Sequence, residues 1–264
     1  MIRIDRPADA PIALISPNVV DAKAAIKEIA AKRKPLSKEF PSLWGNKTVR
    51  QALWTMQRKK CGYCERRRDV NRESDIDHFR PKAEVTLAPA HDGYWWLAYD
   101  WNNLLFCCRH CNQVYKLNHF PVATEANRVS SEDKPLADEP AYLIDPCSTA
   151  DDPEDLLAYY VKESLKLVYV VACPDSPWNK IRAEKTIEIL GLNRTELLEE
   201  RGKCLTTLRL LVTKMHAAHQ IMALDKEKEA ADEIRDETSS TQPFAGFRRA
   251  FFRMNGLGDC VSRN

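Results

Sequence analysis

The stretch WNNLLFCCRHCNQVYK, residues 101–116, holds three cysteines and three asparagines. Cys108 and Cys111 stand two residues apart, the spacing of Cys61 and Cys64 in RKKCGYCERRR, residues 58–68. One Cys-x-x-Cys pair could be redox active, metal binding or accidental. Two pairs supply the four thiolates that tetrahedral zinc takes in its structural sites, so Cys61, Cys64, Cys108 and Cys111 are read as zinc ligands. Cys107 competes with Cys108, but its spacing to Cys111 is one residue longer than in the first pair. Asn103 precedes the second pair, Asn112 follows Cys111 directly, and Lys116 lies one helical turn beyond Asn112. A short helix starting near Cys111 and stopped by Pro121 would set the Asn112 oxygen and Lys116 on one face.

Between the pairs lies ESDIDHFRPKAEV, residues 73–85, with Asp77 and His78 adjacent on a β-like segment. Neighbouring strand residues point to opposite faces unless the strand bends. Together they offer an oxygen ligand for Mg²⁺ (or Mn²⁺) and an imidazole able to take a proton near neutral pH. Arg80 and Lys82 follow at once and suit phosphate contact. The plainer reading is a surface aspartate beside a structural histidine. Around the first thiol pair, Arg58, Lys59, Lys60, Arg66, Arg67 and Arg68 form a basic cluster that would lower thiol pKa values and attract a polyanion.

The rest of the chain sets bounds. With 264 residues it has room for one large domain or two smaller ones, and 44% hydrophobic with 30% charged residues is an ordinary folded composition. Net charge is only +2, so nucleic-acid binding has to be argued from local clustering. Nine cysteines, an odd number irregularly spread, fit poorly with a secreted disulfide framework. Cys147, Cys173, Cys204 and Cys260 are read as small hydrophobes. Residues 1–17 lack the apolar run of a secretory signal, and no stretch is apolar enough for a bilayer, which predicts a cytoplasmic protein. No Gly-x-x-x-x-Gly-Lys-Ser/Thr segment is present, so the chain carries no P-loop.

Periodicity predicts a surface helix over 19–34 and another over 47–60. GYWWLAYDWNNLL, residues 93–105, predicts a local aromatic core, with base stacking by Trp95, Trp96, Tyr99 and Trp101 as the lesser alternative. Residues 125–140 read as a loop and place a module edge near 130. LLAYYVKESLKLVYVVAC, residues 156–173, predicts a β-hairpin. A helix then runs from Trp178 to Gly191. Asn193 with Glu196 looks like the capping box of a second, long helix. Its Leu198, Leu205, Leu208, Val212, Met215 and Met222 fall near a heptad register interrupted by Arg201 and His219. Packing on its own domain is the preferred reading over a partner-binding coiled coil. Residues 225–243 predict a solvated helix fraying into a linker. The tail arginines Arg248, Arg249 and Arg253 read as part of an amphipathic helix. His110 could ligate zinc, but Cys108 and Cys111 fill that role, so it reads as a bystander before a phosphate contact; His91, His119, His216 and His219 have no assigned chemistry.

CGYC, DIDHFRPK and WNNLLFCCRHCNQVYK, in that order, resemble the HNH endonucleases, and the resemblance covers about residues 58–121. It implies a zinc-stabilised ββα-metal module; with the patterns read above, the expected chain is α+β, that module framed by helices and followed by a β-hairpin and a mainly helical C-terminal region. The expected divisions are 1–130, a helical lead-in with the nuclease module, and 131–264. Carried over by position, His78 would be the general base, and Asp77 and Asn112 would hold catalytic Mg²⁺. Asn103 would brace the loop that orients His78, and the four cysteines would bind structural zinc. Arg66, Arg67, Arg80, Lys82 and Lys116 would contact nucleic acid, DNA rather than RNA. Many members place the basic residue three positions after the final His or Asn, whereas Lys116 stands four after Asn112.

A narrower likeness rests on DRPADAP, GYWWLAYDWNNLL, AYLIDPCSTADDPEDLL and TIEILGLNRTELLEER. These resemble the HNH subunit of Septu-type antiphage defence systems, a family also found with some retrons. That likeness implies a separate ABC/SMC-like ATPase partner. Two rivals stand beside the nuclease reading. A non-catalytic zinc-stabilised module binding nucleic acid or a partner would have no use for Asp77, His78 and Asn112 as a set. A thiol oxidoreductase would need cysteines free of zinc.

Overall fold

The computed structural model of the chain describes residues 1–32, 40–173 and 176–262. The architecture mixes α and β: eight α-helices and two small antiparallel sheets among these residues. They divide into two compact units, one of residues 4–63 and 67–149, the other of 150–264 with 1–3 and 64–66. The sequence reading set its division near 130. No helix among the described residues is long and apolar enough to cross a membrane.

The first unit begins with α1, Pro17–Ala31, which starts on a proline at its first turn, where the missing N–H costs nothing. The predicted residues 33 and 34 of this helix lie outside the described residues. Helix α2, Lys47–Met56, is capped by the Asn46 side chain, which accepts from Thr48 N. It ends four residues before the predicted boundary. Gln57 leaves the helix to clamp the backbone of Phe106, donating from Nε2 at 2.6 Å and accepting at Oε1 at 2.8 Å. Arg58 and Lys59 then turn through left-handed backbone, φ 55° and 62°. The basic run folds back on itself as a knuckle, with Arg68 N donating to Lys59 O at 2.9 Å.

Strand β1, Ser74–His78, pairs antiparallel with β2, Leu104–Cys108, in a register that sets Asp77 opposite Leu105 and Ile76 opposite Phe106. Every residue of β2 is buried, so both faces of this ribbon are covered. Ile76, Leu104 and Phe106 pack with Val19, Ile26, Val49 and Leu53 of the two helices and with Ala98, Tyr99 and Trp101. Such burial supplies about 1.5–3 kcal/mol per large side chain and makes the ribbon a rigid floor. The predicted aromatic core is therefore present. Tyr99 and Trp101 are buried in it, and Trp101 Nε1 donates to Pro7 O at 2.9 Å.

After β2 the chain coils through His110–Lys116 as a short π-helix, closed by Leu117 N donating to Asn112 O at 2.8 Å. Residues 125–140 form only two single 3₁₀ turns, Glu125–Asn127 and Leu136–Asp138, as a loop reading implies.

In the second unit a single helical turn, α3 Pro153–Leu156, leads into β3, Leu157–Lys162, which pairs with β4, Leu167–Ala172. This is the predicted hairpin. Helices follow as α4 Pro177–Ile189, α5 Thr195–Lys203, α6 Leu205–Gln220, α7 Leu224–Glu237 and α8 Ala245–Met254.

Three expectations are corrected here. Asn193 caps no helix: its side chain accepts from Val170 N and donates to Val170 O, both at 2.8 Å, as an extra rung on β4. The expected long helix breaks at Cys204 into α5 and α6. Leu198, Leu205, Leu208, Val212 and Met215 are buried, while Met222 lies past the helix end, 84% exposed with φ 52°. The span 225–243 frays into no linker, because Ala230 and Ile234 of α7 are fully buried. Its end is pinned where Arg249 Nε donates to Thr238 O at 2.9 Å. The tail arginines stay within the protein: Arg249 and Arg253 pair with Glu154, and Arg248 with Glu237.

Candidate active site and metal centre

The two Cys-x-x-Cys turns meet. The Sγ atoms of Cys61, Cys64, Cys108 and Cys111 all lie within 4.8 Å of one another, and all four residues are buried. Tetrahedral zinc with Zn–S bonds of about 2.3 Å sets its sulfurs about 3.8 Å apart, so the donor set and its spacing fit structural zinc. Backbone geometry supports both turns. Gly62 N donates to Phe106 O at 3.0 Å, and Cys111 N points to Cys108 Sγ at 3.5 Å. The close approach at Gly62 leaves little room, since a Cβ there would sit 3.0 Å from Gln57 Nε2.

Cys107, the rival ligand, stands outside the cluster. Strand alternation turns it toward Asp75, whose carbonyl lies 3.9 Å from its Sγ, and burial pushes its thiol pKa well up.

Asp77 and His78 occupy the end of β1 and are both buried. Asp77 faces inward, where Tyr63, in the middle of the first Cys-x-x-Cys, donates its hydroxyl to Oδ2. Lys116 Nζ lies 3.2 Å from Asp77 Oδ1, 3.1 Å from Oδ2 and 2.9 Å from His78 O. Lys116 is wholly buried, with its donors spent on these acceptors, so the expected phosphate contact is corrected to an internal ion pair. Burial pushes the Asp77 carboxyl above the usual carboxylate range, against the pull of Lys116 and Tyr63.

The His78 ring donates from Nε2 to Ala98 O at 2.8 Å. A carbonyl only accepts, so this bond fixes the tautomer and leaves Nδ1 as the basic nitrogen. Burial, with the Lys82 charge second, lowers the His78 pKa to about 3, so the imidazole is neutral at physiological pH.

Asn103 supports the turn after β1. Its Oδ1 accepts from Arg80 N at 2.8 Å, and its Nδ2 donates to Arg80 O at 2.9 Å and Leu97 O at 3.3 Å. Asn103 O also accepts from Phe79 N at 2.8 Å. It thus holds the two residues that follow His78 and ties them to Leu97, the neighbour of the Ala98 that accepts from the His78 ring.

In front, a cleft of about 270 Å³ is lined by Asp77, His78, Lys82 and Asn112, with Trp44, Ile76, Pro81, Gln113, Leu117 and Asn118 completing its walls. Asn112 donates from Nδ2 to Asp75 Oδ2 at 3.2 Å, which leaves its Oδ1 as an acceptor. Four of the sequence-predicted site residues thus share one cavity.

The other predicted phosphate contacts do not join them. Arg80 is paired with the buried Glu139 at 2.9 Å, and Arg66 is paired with Glu200. Arg67 is exposed but lines no part of the cleft. Sequence reasoning missed Trp44 and Tyr63. Tyr63 had a signal, its place inside the first Cys-x-x-Cys, whereas Trp44 comes from a short turn outside every motif.

No family model matches the chain. Over 219 residues, 80% of this chain and 69% of the relative, it is 33% identical to Septu protein PtuB of Bacillus mycoides (strain KBAB4). A shorter match, 38% identical over 72 residues, is to Septu protein PtuB of Bacillus thuringiensis and spans 27% of this chain and 24% of that one. A third, 31% identical over 150 residues, is to Septu protein PtuA of Bacillus mycoides (strain KBAB4), covering 54% of this chain and 19% of that protein. Similarity at this identity and coverage makes the chain a member of the Septu PtuB family.

Proposed function

We propose that this chain is the nuclease subunit of a Septu antiphage defence complex, a metal-dependent HNH endonuclease that cuts DNA and works with a separate ATPase subunit. The observation that carries the reading is the single cleft shared by Asp77, His78, Lys82 and Asn112, set on the same ribbon and helix that present two of the zinc-type thiols.

Hydrolysis of a phosphodiester needs a water made nucleophilic and charge stabilisation on the transition state. Held by Ala98, the His78 imidazole can take the water's proton at Nδ1. Burial and Lys82 keep its proton affinity low, but an entering phosphodiester brings negative charge that offsets Lys82 and raises it.

Oxygen donors for a divalent ion would be Asp77 and Asn112 Oδ1. A carboxylate has about four acceptor sites, so Tyr63 and Lys116 do not exhaust Asp77. Bound there, Mg²⁺ would supply Lewis-acid stabilisation of the charge on the departing oxygen. The thiol cluster, loaded with zinc, would tie the helix bearing Asn112 to the strand ribbon. The ATPase partner rests on the Septu resemblance alone.

Plaque assays on cells carrying the complete system test this reading. His78→Ala and Asn112→Ala should each abolish protection at unchanged protein level. Full protection by His78→Ala would overturn it. The non-catalytic module keeps one observation in its favour, the engagement of Asp77 by Lys116 and Tyr63, and it predicts that His78→Ala still protects.

A further inference from the structure

Lys82 is the one lysine or arginine that lines the cleft among the described residues, and no ion pair holds it there among them. Its ammonium lies over aromatic rings, with Nζ 4.6 Å from the ring centre of Trp44 and 5.7 Å from that of Phe40, and it feels the Asp77 carboxylate and the Lys116 ammonium from farther off. A lysine held on ring faces keeps its N–H donors for an incoming anion, whereas one paired with a carboxylate spends them.

Trp44 also meets His78 edge to face, with ring centres 4.9 Å apart at 80°, and leans on Tyr99 at 5.6 Å. Its own position is anchored. The turn Leu43–Gly45 is closed by Gly45 N donating to Ser42 O at 3.0 Å, and the segment before it is tied down by Tyr99 Oη donating to Pro41 O at 2.9 Å. One indole therefore touches both the basic imidazole and the one ammonium of the cleft.

We propose that Trp44 is a positioning residue whose ring face holds the Lys82 ammonium in the cleft beside His78, where that ammonium receives the phosphate group to be cut. The inference rests on the nuclease reading for its substrate, but the hold on Lys82 is a property of the folded chain alone.

Two variants separate π character from packing. Trp44→Phe keeps an aromatic face, and Trp44→Leu fills apolar space without one. In the complete complex, Trp44→Leu should lower kcat about tenfold with KM changed by less than about threefold, as expected for lost transition-state stabilisation, and Trp44→Phe should recover most of the loss. In parallel, limiting acetic anhydride labelling read by mass spectrometry compares Lys82 with the exposed Lys23. Lys82 should label several-fold faster in Trp44→Leu than in wild type, and at near wild-type rate in Trp44→Phe. Equal impairment of the two variants, or unchanged Lys82 labelling in Trp44→Leu, would overturn the proposal. If the wild-type complex cuts no nucleic acid the nuclease reading fails, and the labelling alone then decides whether Trp44 holds Lys82.

Discussion

Replacing Lys116 with methionine tests the interior of the site most sharply. The side chain is wholly buried, and its ammonium meets Asp77 at 3.1 and 3.2 Å and His78 O at 2.9 Å. Methionine matches the volume of the stem and removes the charge, so Asp77 keeps only Tyr63 as a direct partner. Removing one member of a buried, hydrogen-bonded pair costs about 3–5 kcal/mol. With a urea m-value of ~3 kcal/mol/M, the midpoint of unfolding should fall by about 1–1.7 M.

The sign of the pH dependence follows from Asp77. Its folded pKa is already raised by burial and loses its strongest downward pull in the variant, whereas the unfolded chain keeps the ordinary value. A carboxyl with a raised folded pKa contributes most at low pH and loses that contribution as pH rises through the folded value. The deficit against wild type should therefore be larger at pH 8 than at pH 5.5. Adding Asp77→Asn to Lys116→Met should recover more than half of it. A loss under about 1 kcal/mol, or no recovery in the double variant, would refute the buried pair as described.

Zinc content should separate the two neighbouring cysteines: Cys108→Ser lowers metal retained after gel filtration and Cys107→Ser does not, and the reverse pattern contradicts the assigned cluster. Chelation should destabilise the wild type and leave Cys108→Ser less affected. At Gly202, an added Cβ would lie 1.9 Å from Lys166 O and 3.1 Å from Lys166 C, so Gly202→Ala should cost about 3 kcal/mol or more by thermal melting; a near-neutral change would show the helix–hairpin packing to be looser than described. His91, whose Nε2 donates to Val129 O at 2.9 Å, has its pKa lowered by burial. The unfolded chain therefore binds that proton more readily, and stability carried by His91 is lost as pH falls below about 6.5. An NMR titration showing His91 protonating at or above 6.5 would contradict this.

Much of the site was legible because its chemistry lies in short local patterns. Doubled Cys-x-x-Cys spacing picks out the four clustered cysteines whatever the surrounding fold, and the same spacing separates Cys107 from Cys108. Asn103, singled out by its place just before the second thiol pair, is bonded to Phe79 and Arg80, the two residues after His78. Burial was what the sequence hid. Nothing local marks Lys116 as an internal cation, because its partner Asp77 is distant in the chain and lysine is ordinarily a surface residue. The same limit applies to Arg66 and Arg80, whose carboxylate partners lie in later segments. Helix ends failed where side chains had tertiary work. Gln57 left its helix to bond β2, and Asn193 bonded β4 although its local spacing resembled a cap. Trp44 could not be found at all, since only the folded turn brings it against His78.

The most direct test is cleavage of plasmid, single-stranded DNA and RNA by the purified chain, alone and with its coexpressed partner subunit, in Mg²⁺ or Mn²⁺, with zinc quantified on the same samples. The account predicts metal-dependent cutting of DNA that His78→Ala abolishes while zinc content and melting temperature stay at wild-type values. Cutting that persists undiminished in His78→Ala, or no cutting by the zinc-loaded chain with its partner present, would contradict it.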